Sequence, residues 1–318
     1  MRDPQGHPFS RTGKIAFAVL VAALLLVNAS ILATAIPETS KIDSGCCAPH
    51  RLLAKDFSAF YIAAWRFLND PSQIYTKGNV SDGEPSILPQ PQGFKYLPSF
   101  LLFIFPLLSL TYNTALLAFD FLQFLLLPII AFLIYGLLKR RGFLAASVVA
   151  AAVILLPIPL PTPDWSLSAS YFWQWAEGQS KVLETFLLLL SLALSRSGRP
   201  RLAGAVFGVA SFDVRFALLG LPLLATYSKR AKVSLQWAVG TFVLSNAVLL
   251  YPPAFGGFIS MVSATGLQTP LYYYAYIPVV ALAALWIVDG KDVYVAARRW
   301  VSTAISRGVR GANRGPEP

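Results

Sequence analysis

The residue best placed for chemistry in this chain is Asp56, at the head of an aromatic-rich stretch at residues 55–68. The stretch lies in a polar, proline-rich segment between two long apolar ones, where a carboxylate can meet both lipid and water. Its apolar residues recur with the period of a helix, at Phe57, Phe60, Tyr61, Ala64 and Leu68. A carboxylate there suits a base that acts on a lipid-linked substrate. The alternative is that Asp56 only caps the helix N-terminus.

The Asp56 helix is expected to stop at Asp70-Pro71, since proline cannot continue a helix. Arg66 does not lie on the apolar face of this predicted helix. The pattern predicts a helix lying in the outer interface of a membrane, with Tyr61 and Trp65 at the depth of the lipid headgroups.

A second polar segment, at residues 165–181, is crowded with aromatic residues. Trp165 and its neighbours could stack on sugar rings, while Gln179 and Lys181 offer groups for hydroxyls or a phosphate. The alternative is an aromatic belt at the membrane boundary, which membrane proteins commonly carry.

Polar side chains also occur inside the apolar runs. Ionisable groups at membrane depth are costly and mark functional cavities; here the polar set is Asp120, Gln123, Glu184, Asp213 and Arg215. Asp213 and Arg215 would diverge on a regular helix, but they could converge on one site at a helix break. A structural ion pair is the alternative, and Asp120 with Gln123 could simply join helices.

Composition indicates a polytopic helical membrane protein. Hydrophobic residues make up 56% of the 318 residues and charged residues 13%, and the apolar runs approach the ~20 residues that a spanning helix needs. The first run, at 15–35, is predicted to be a retained anchor rather than a signal peptide. Although the formal net charge is +11, the basic clusters lie between apolar runs. This distribution predicts membrane orientation, with no nucleic-acid partner.

Several site classes are not indicated. The sequence has no P-loop, dinucleotide-binding turn, nucleophile elbow or histidine-based zinc motif. Cys46 and Cys47 are adjacent and give no disulfide framework. With His50 they could form part of a metal site, but a fourth ligand is not evident. We therefore expect neither a metal nor a cofactor.

The basic clusters predict that both termini are cytoplasmic and that the loops at 37–95, 162–178 and 252–269 face outward. Residues 96–110 are expected to form a re-entrant or interfacial helix, and 112–138 a full span. The stretch at 201–228 is too short for two spans, so it is predicted to form a broken hairpin of short helices near 211–215.

The predicted fold is all-α, with about eight membrane-crossing or half-crossing helices plus outer-face interfacial helices. We expect a single transmembrane domain at 1–290, with its outer loop and interfacial helices at 37–110. A basic cytoplasmic tail follows at 291–318. The expected location is the cell membrane.

In order and spacing, several segments resemble the GT-C type membrane glycosyltransferases of family 87, which use a polyprenyl-phosphate sugar. The resemblance runs from the first span to about residue 230. Its carriers are Asp56-Phe57, Tyr61, Ala63-Ala64, Ile74-Tyr75, Phe94-Lys95-Tyr96-Leu97-Pro98, Phe105-Pro106-Leu107, Gly178-Gln179-Ser180, Ala203-Gly204 and Gly208-Val209-Ala210. The family's hairpin usually carries a Lys-Pro-like element, and here Asp213-Val214-Arg215-Phe216 stands in its place.

The resemblance implies a GT-C-like fold and retaining or inverting transfer of a sugar, typically mannose, from a polyprenyl phosphate to a lipid or glycan acceptor at the outer face. In this chain the general base would be Asp56. Cations for the donor phosphate would be Arg215, Lys181 and Lys55, and the substrate-binding residues would be Tyr61, Tyr96, Trp165, Gln179 and Asp213. Membrane lipids are the remaining partners.

Two other functions remain open from the sequence. One is a non-catalytic membrane protein that binds or translocates a polyprenyl lipid. The other is a transporter, which the broken hairpin favours and the lack of inverted repeats weakens.

Overall fold

The computed structural model describes residues 11–40, 54–77, 85, 93–138, 143–155, 175, 178–265, 281–287 and 295. Every regular element in this part is helical, with no strand. The nine α-helices are α1 (Arg11–Ser40), α2 (Lys55–Asn69), α3 (Tyr112–Leu138), α4 (Phe143–Leu155), α5 (Lys181–Arg196), α6 (Pro200–Ala210), α7 (Val214–Tyr227), α8 (Ala231–Ser245) and α9 (Pro252–Thr265). Residues 281–287 are also helical.

Two described segments are long and apolar enough to cross a membrane by length and composition, Arg11–Ala33 and Tyr112–Leu138. The second reproduces the predicted span at 112–138. The other seven α-helices have 11 to 16 residues, at most about 24 Å at 1.5 Å per residue. Helix lengths therefore point to membrane association without showing eight crossings.

The helices α3, α5 and α7 end at the same side of the bundle. The Arg196 guanidinium donates to the carbonyl of Leu137 and lies 5.3 Å from the ring centre of Tyr227. Ser195 Oγ donates to the carbonyl of Leu224 at 3.3 Å. The first half of α1 lies here too, since the rings of Phe17 and Tyr135 are 5.3 Å apart.

We call this side the basic end, after six cations in its two turns: Arg196, Arg199, Arg201, Lys229, Arg230 and Lys232. Between residues 196 and 237 the only acidic residue is Asp213, which lies at the opposite end, as described below.

The predicted broken hairpin is confirmed. The helix α6 leaves the basic end, where Ser191 Oγ donates to the carbonyl of Ala203 at 2.9 Å. It stops at Ala210, and α7 begins at Val214 and returns. With 11 and 14 residues, these helices span only about 16 and 21 Å, less than the ~30 Å hydrocarbon core.

Close backbone contact sets the position of α8 beside α6. A Cβ atom on Gly204 would overlap the Ser234 carbonyl oxygen, and one on Gly208 would overlap the Ala238 carbonyl oxygen. Both contacts advance by four residues along both helices, so α6 and α8 run parallel in a fixed register. Only glycine allows this approach, which gives the Gly204 and Gly208 positions a packing role.

The helix α2 ends at Asn69, before Asp70-Pro71, as predicted. The prediction that only one apolar face of it is buried is wrong, because Ser58 and Arg66 are buried as well. Its position in the outer interface of a membrane stays a prediction. The Arg66 guanidinium donates to the carbonyls of Gln73 and Thr76, so it holds the turn that follows the helix.

The helix α2 is covered by the segment at 93–110. This segment forms two 3-10 helices, Pro98–Phe103 and Phe105–Ser109, rather than one continuous helix. The rings of Phe60 and Phe100 lie 4.6 Å apart. The tertiary contacts therefore make α2 a core helix, which its own periodicity does not reveal.

The prediction of a loop at 252–269 is wrong for most of its length, since α9 occupies Pro252–Thr265. Two prolines open the helix, where their fixed φ and missing N–H are tolerated. Its Phe258 ring lies 5.5 Å from that of Tyr75.

Candidate functional site

The candidate site lies at the end of the bundle opposite the basic end, where α2, α5 and α7 begin. We call it the Asp56 end and define it by Asp56, Tyr96, Lys181, Glu184 and Asp213. These five residues come from four segments that are distant in the sequence.

Asp56 lies in the first turn of α2 and is partly exposed. The N-cap residue is Ala54, in the left-handed conformation with φ 55°, so Asp56 does not occupy the N-cap position. The carboxylate instead lies within the first turn, where the helix dipole favours negative charge.

The Ala54 carbonyl accepts from Tyr112 Oη at 3.2 Å and from the Ser58 N–H at 2.9 Å. The start of α2 is thereby attached to the start of α3.

The Gly178–Ser180 loop is packed between α2 and α3. Gly178 has φ +62°, and a Cβ atom there would lie 2.6 Å from Phe57 Cβ. Gln123 Nε2 donates to the Gln179 carbonyl at 2.8 Å, and Gln123 Oε1 accepts from the Leu183 N–H at 3.3 Å. Gln123 therefore joins helices, one of the two roles considered from the sequence, and this loop brings Lys181 to the site.

Lys181 is buried between two carboxylates. Its Nζ lies 3.4 Å from Glu184 Oε2 and 3.3 Å from Asp213 Oδ2, and all three side chains are at most 5% exposed. The ammonium also lies 4.9 Å from the ring centre of Tyr96 and 4.8 Å from that of Phe216, within range of cation–π attraction.

Tyr96 lies between this buried group and α2, since its ring centre is 5.4 Å from that of Phe60, one turn after Asp56. Burial raises the pKa of the Tyr96 phenol; Lys181 lowers it, and the charges of Asp56, Asp213 and Glu184 raise it further. All four ionisable groups thus act on one ring. The Leu97 N–H donates to the Phe212 carbonyl at 3.0 Å, so the Tyr96 segment is attached to the turn that carries Asp213.

The five residues that define the Asp56 end have a negative formal charge, since Lys181 is one cation beside the three carboxyl groups of Asp56, Glu184 and Asp213. A donor phosphate at Lys181 would compete with Glu184 and Asp213, because the ammonium is already paired with both. Asp56 is more exposed than Glu184 and Asp213, so it has the better access to a proton-donating substrate.

Of the residues predicted to form the site, the structure brings Asp56, Tyr96, Lys181 and Asp213 together. The Tyr61 hydroxyl donates to the Leu110 carbonyl at 2.8 Å, which joins α2 to the segment before α3. Trp165 lies outside the described residues, as do the side chains of Lys55 and Arg215.

Sequence reasoning recognised Glu184 as a polar group in an apolar run but did not place it in the site. Its position three residues after Lys181 puts both on one helix face, a signal that could have found it. Asn246, at the end of α8, was missed altogether. Its Oδ1 accepts from the Ser99 N–H at 2.9 Å and joins α8 to the first 3-10 helix.

Comparison of the chain with protein-family models, curated proteins and solved structures finds no match. Within the described residues, no group of three or more His, Cys, Asp or Glu side chains could hold a metal ion.

Proposed function

We propose that this chain is a multi-span membrane glycosyltransferase that uses a polyprenyl-phosphate sugar, with Asp56 as general base. One observation carries the proposal: four residues selected from sequence for this chemistry, Asp56, Tyr96, Lys181 and Asp213, converge at one end of an apolar helix bundle.

In the proposed reaction, Asp56 accepts the proton of an acceptor hydroxyl. The hydroxyl oxygen forms a bond to the anomeric carbon of the sugar, and the bond from that carbon to the phosphate oxygen breaks. Polyprenyl phosphate leaves with the bonding electrons. A positioned base of this kind typically accelerates a reaction by about 10²–10⁴-fold.

The distribution of charge supports the proposed topology. Six lysines and arginines lie at the basic end of the bundle and Asp56 lies at the other end, as expected if the basic end is cytoplasmic. The helices α5, α6, α7 and α8 alternate in direction between these ends, which fits a chain that repeatedly enters the bilayer. Both termini would then be cytoplasmic.

The test is radiolabelled sugar transfer from a polyprenyl-phosphate donor in membranes that contain the parent or Asp56→Asn. Asn keeps the size and helix-terminal preference of Asp, so the variant should fold. We expect transfer to fall by about 10²–10⁴-fold.

The matched control is Asp70→Asn, which makes the same change at an N-cap where Asp70 accepts from Ser72 at 3.2 Å. It should retain transfer activity. Undiminished transfer by Asp56→Asn would exclude the base assignment.

The second candidate is a non-catalytic protein that binds a polyprenyl lipid. It is favoured by the burial of Lys181 between Glu184 and Asp213, because an ammonium so paired suits a structural role. In that case the parent would bind polyprenyl phosphate without transferring sugar, and Asp56→Asn would bind it equally well.

A further inference from the structure

The basic end presents five exposed cations on two adjacent turns. They are Arg199 and Arg201 around the start of α6, and Lys229, Arg230 and Lys232 around the start of α8. Neither helix has an acidic residue in its first turn.

The backbone of both turns is fixed. In the first, Gly198 has φ +80° and the Arg199 N–H donates to the Leu194 carbonyl at 3.0 Å. In the second, the Ser228 and Ser234 hydroxyls are 2.8 Å apart, and Ser228 Oγ accepts from the Arg230 N–H at 3.2 Å. The cations therefore extend from ordered turns.

The two turns also lie at the same level. Gly204 contacts Ser234 and Gly208 contacts Ala238, so α6 and α8 run in parallel register. One turn back along that register, Arg201 lies level with the first residues of α8. The exposed cations consequently form one surface rather than two.

Apolar side chains border this surface. Leu202 is 48% exposed and Trp237 is 47% exposed, each within two turns of the cations on its own helix. A row of cations beside an exposed tryptophan is typical of a protein at the level of lipid headgroups. A nucleic acid would match the charge but not the apolar border.

We propose that the turns at 197–201 and 228–232 together bind the headgroups of anionic phospholipids. The charge of the surface, its bordering apolar residues and its fixed backbone all favour this partner. The proposal requires a membrane but not sugar transfer, so it stands or fails independently of Asp56.

The test is native mass spectrometry of the full chain in detergent, with phosphatidylglycerol or phosphatidylcholine added. The parent should retain phosphatidylglycerol in preference to phosphatidylcholine. Each Lys or Arg near an anionic lipid surface contributes roughly fivefold to affinity. Arg199→Gln/Arg201→Gln should therefore weaken phosphatidylglycerol binding by about twentyfold to thirtyfold and leave phosphatidylcholine binding unchanged.

The matched control is Arg11→Gln/Lys14→Gln. It removes the same charge from exposed residues near the same end, but outside the two turns, and should bind like the parent. Equal weakening in this control would overturn the proposal, because it would indicate diffuse attraction. A parent without a lipid preference would also overturn it.

Two further measurements test whether positive charge alone is sufficient for binding and whether other anions compete with the lipid. Arg199→Lys/Arg201→Lys keeps the charge and should keep the preference; a loss as large as in the Gln variant would contradict the proposal. Inorganic phosphate and a single-stranded oligonucleotide should not displace phosphatidylglycerol. Displacement by either would overturn the choice of partner.

Discussion

At the basic end five cations are exposed to solvent, whereas at the Asp56 end one ammonium is buried against two carboxylates. Exposed charges contribute little to folding, because water already solvates them. A buried charge depends on its partners, because losing one leaves the other unsolvated. The same residue types therefore have different surroundings at the two ends: a buried ion pair at the Asp56 end, and exposure at the basic end.

The largest stability effect is expected at Lys181. Lys181→Met keeps the length of the side chain but leaves Glu184 and Asp213 without the buried cation, which should cost about 3–5 kcal/mol. Thermal unfolding in detergent would measure the loss. Lys181→Met/Asp213→Asn removes one of the stranded carboxylates and should recover part of it. A double variant no more stable than the single one would show that the pair is not coupled.

A smaller effect is expected where α6 and α8 connect the two ends. Gly204→Ala places a methyl group against the Ser234 carbonyl, so it should destabilise the fold by about 1–3 kcal/mol. Gly240→Ala is the matched control in α8, since nothing lies within 4 Å of a Cβ there. It should stabilise by about 0.5–1 kcal/mol through helix propensity. Similar unfolding temperatures for both variants would contradict the close approach of α6 and α8.

The Asp56 end should also respond to alkaline pH. Burial and nearby carboxylates raise the pKa of Tyr96 above its ordinary value of about 10. Above that pH the unfolded chain releases the phenol proton more readily than the folded one. Stability should then fall with rising pH, by at most about 1.4 kcal/mol per pH unit for this residue.

Unfolding of the parent and Tyr96→Phe across a pH series would measure this contribution. Lys181, Glu184 and Asp213 are present in both proteins, so the difference between them isolates the Tyr96 phenol. Identical pH profiles would argue against the contribution of the phenol.

The smallest effect is expected at the basic end. Arg199→Gln/Arg201→Gln should change stability by less than about 0.5 kcal/mol, because both side chains are exposed. The same unfolding measurement checks this. A loss as large as that of Lys181→Met would remove the contrast between the two ends.

Much of the helical framework follows from local sequence. The length of the apolar run predicts the helix at 112–138, and proline predicts the end of α2 before Asp70-Pro71. The break after Ala210 follows because 201–228 has too few residues for two spans. Each depends on neighbouring residues alone. The loop expected at 252–269 is the exception, because Gly256 and Gly257 look like loop residues although α9 accommodates them.

Only the tertiary structure decided how the charged residues are used. The sequence by itself determined a helical, apolar chain with basic turns and singled out Asp56, Lys181 and Asp213 as candidates. It could not reveal that Lys181 also pairs with Asp213 in the interior, since that pairing joins residues 32 positions apart. Nor could it show that α2 is enclosed by the segment at 93–110. Burial, and pairing between residues of different segments, depend on which segments meet in space, and periodicity along one helix carries no information about that.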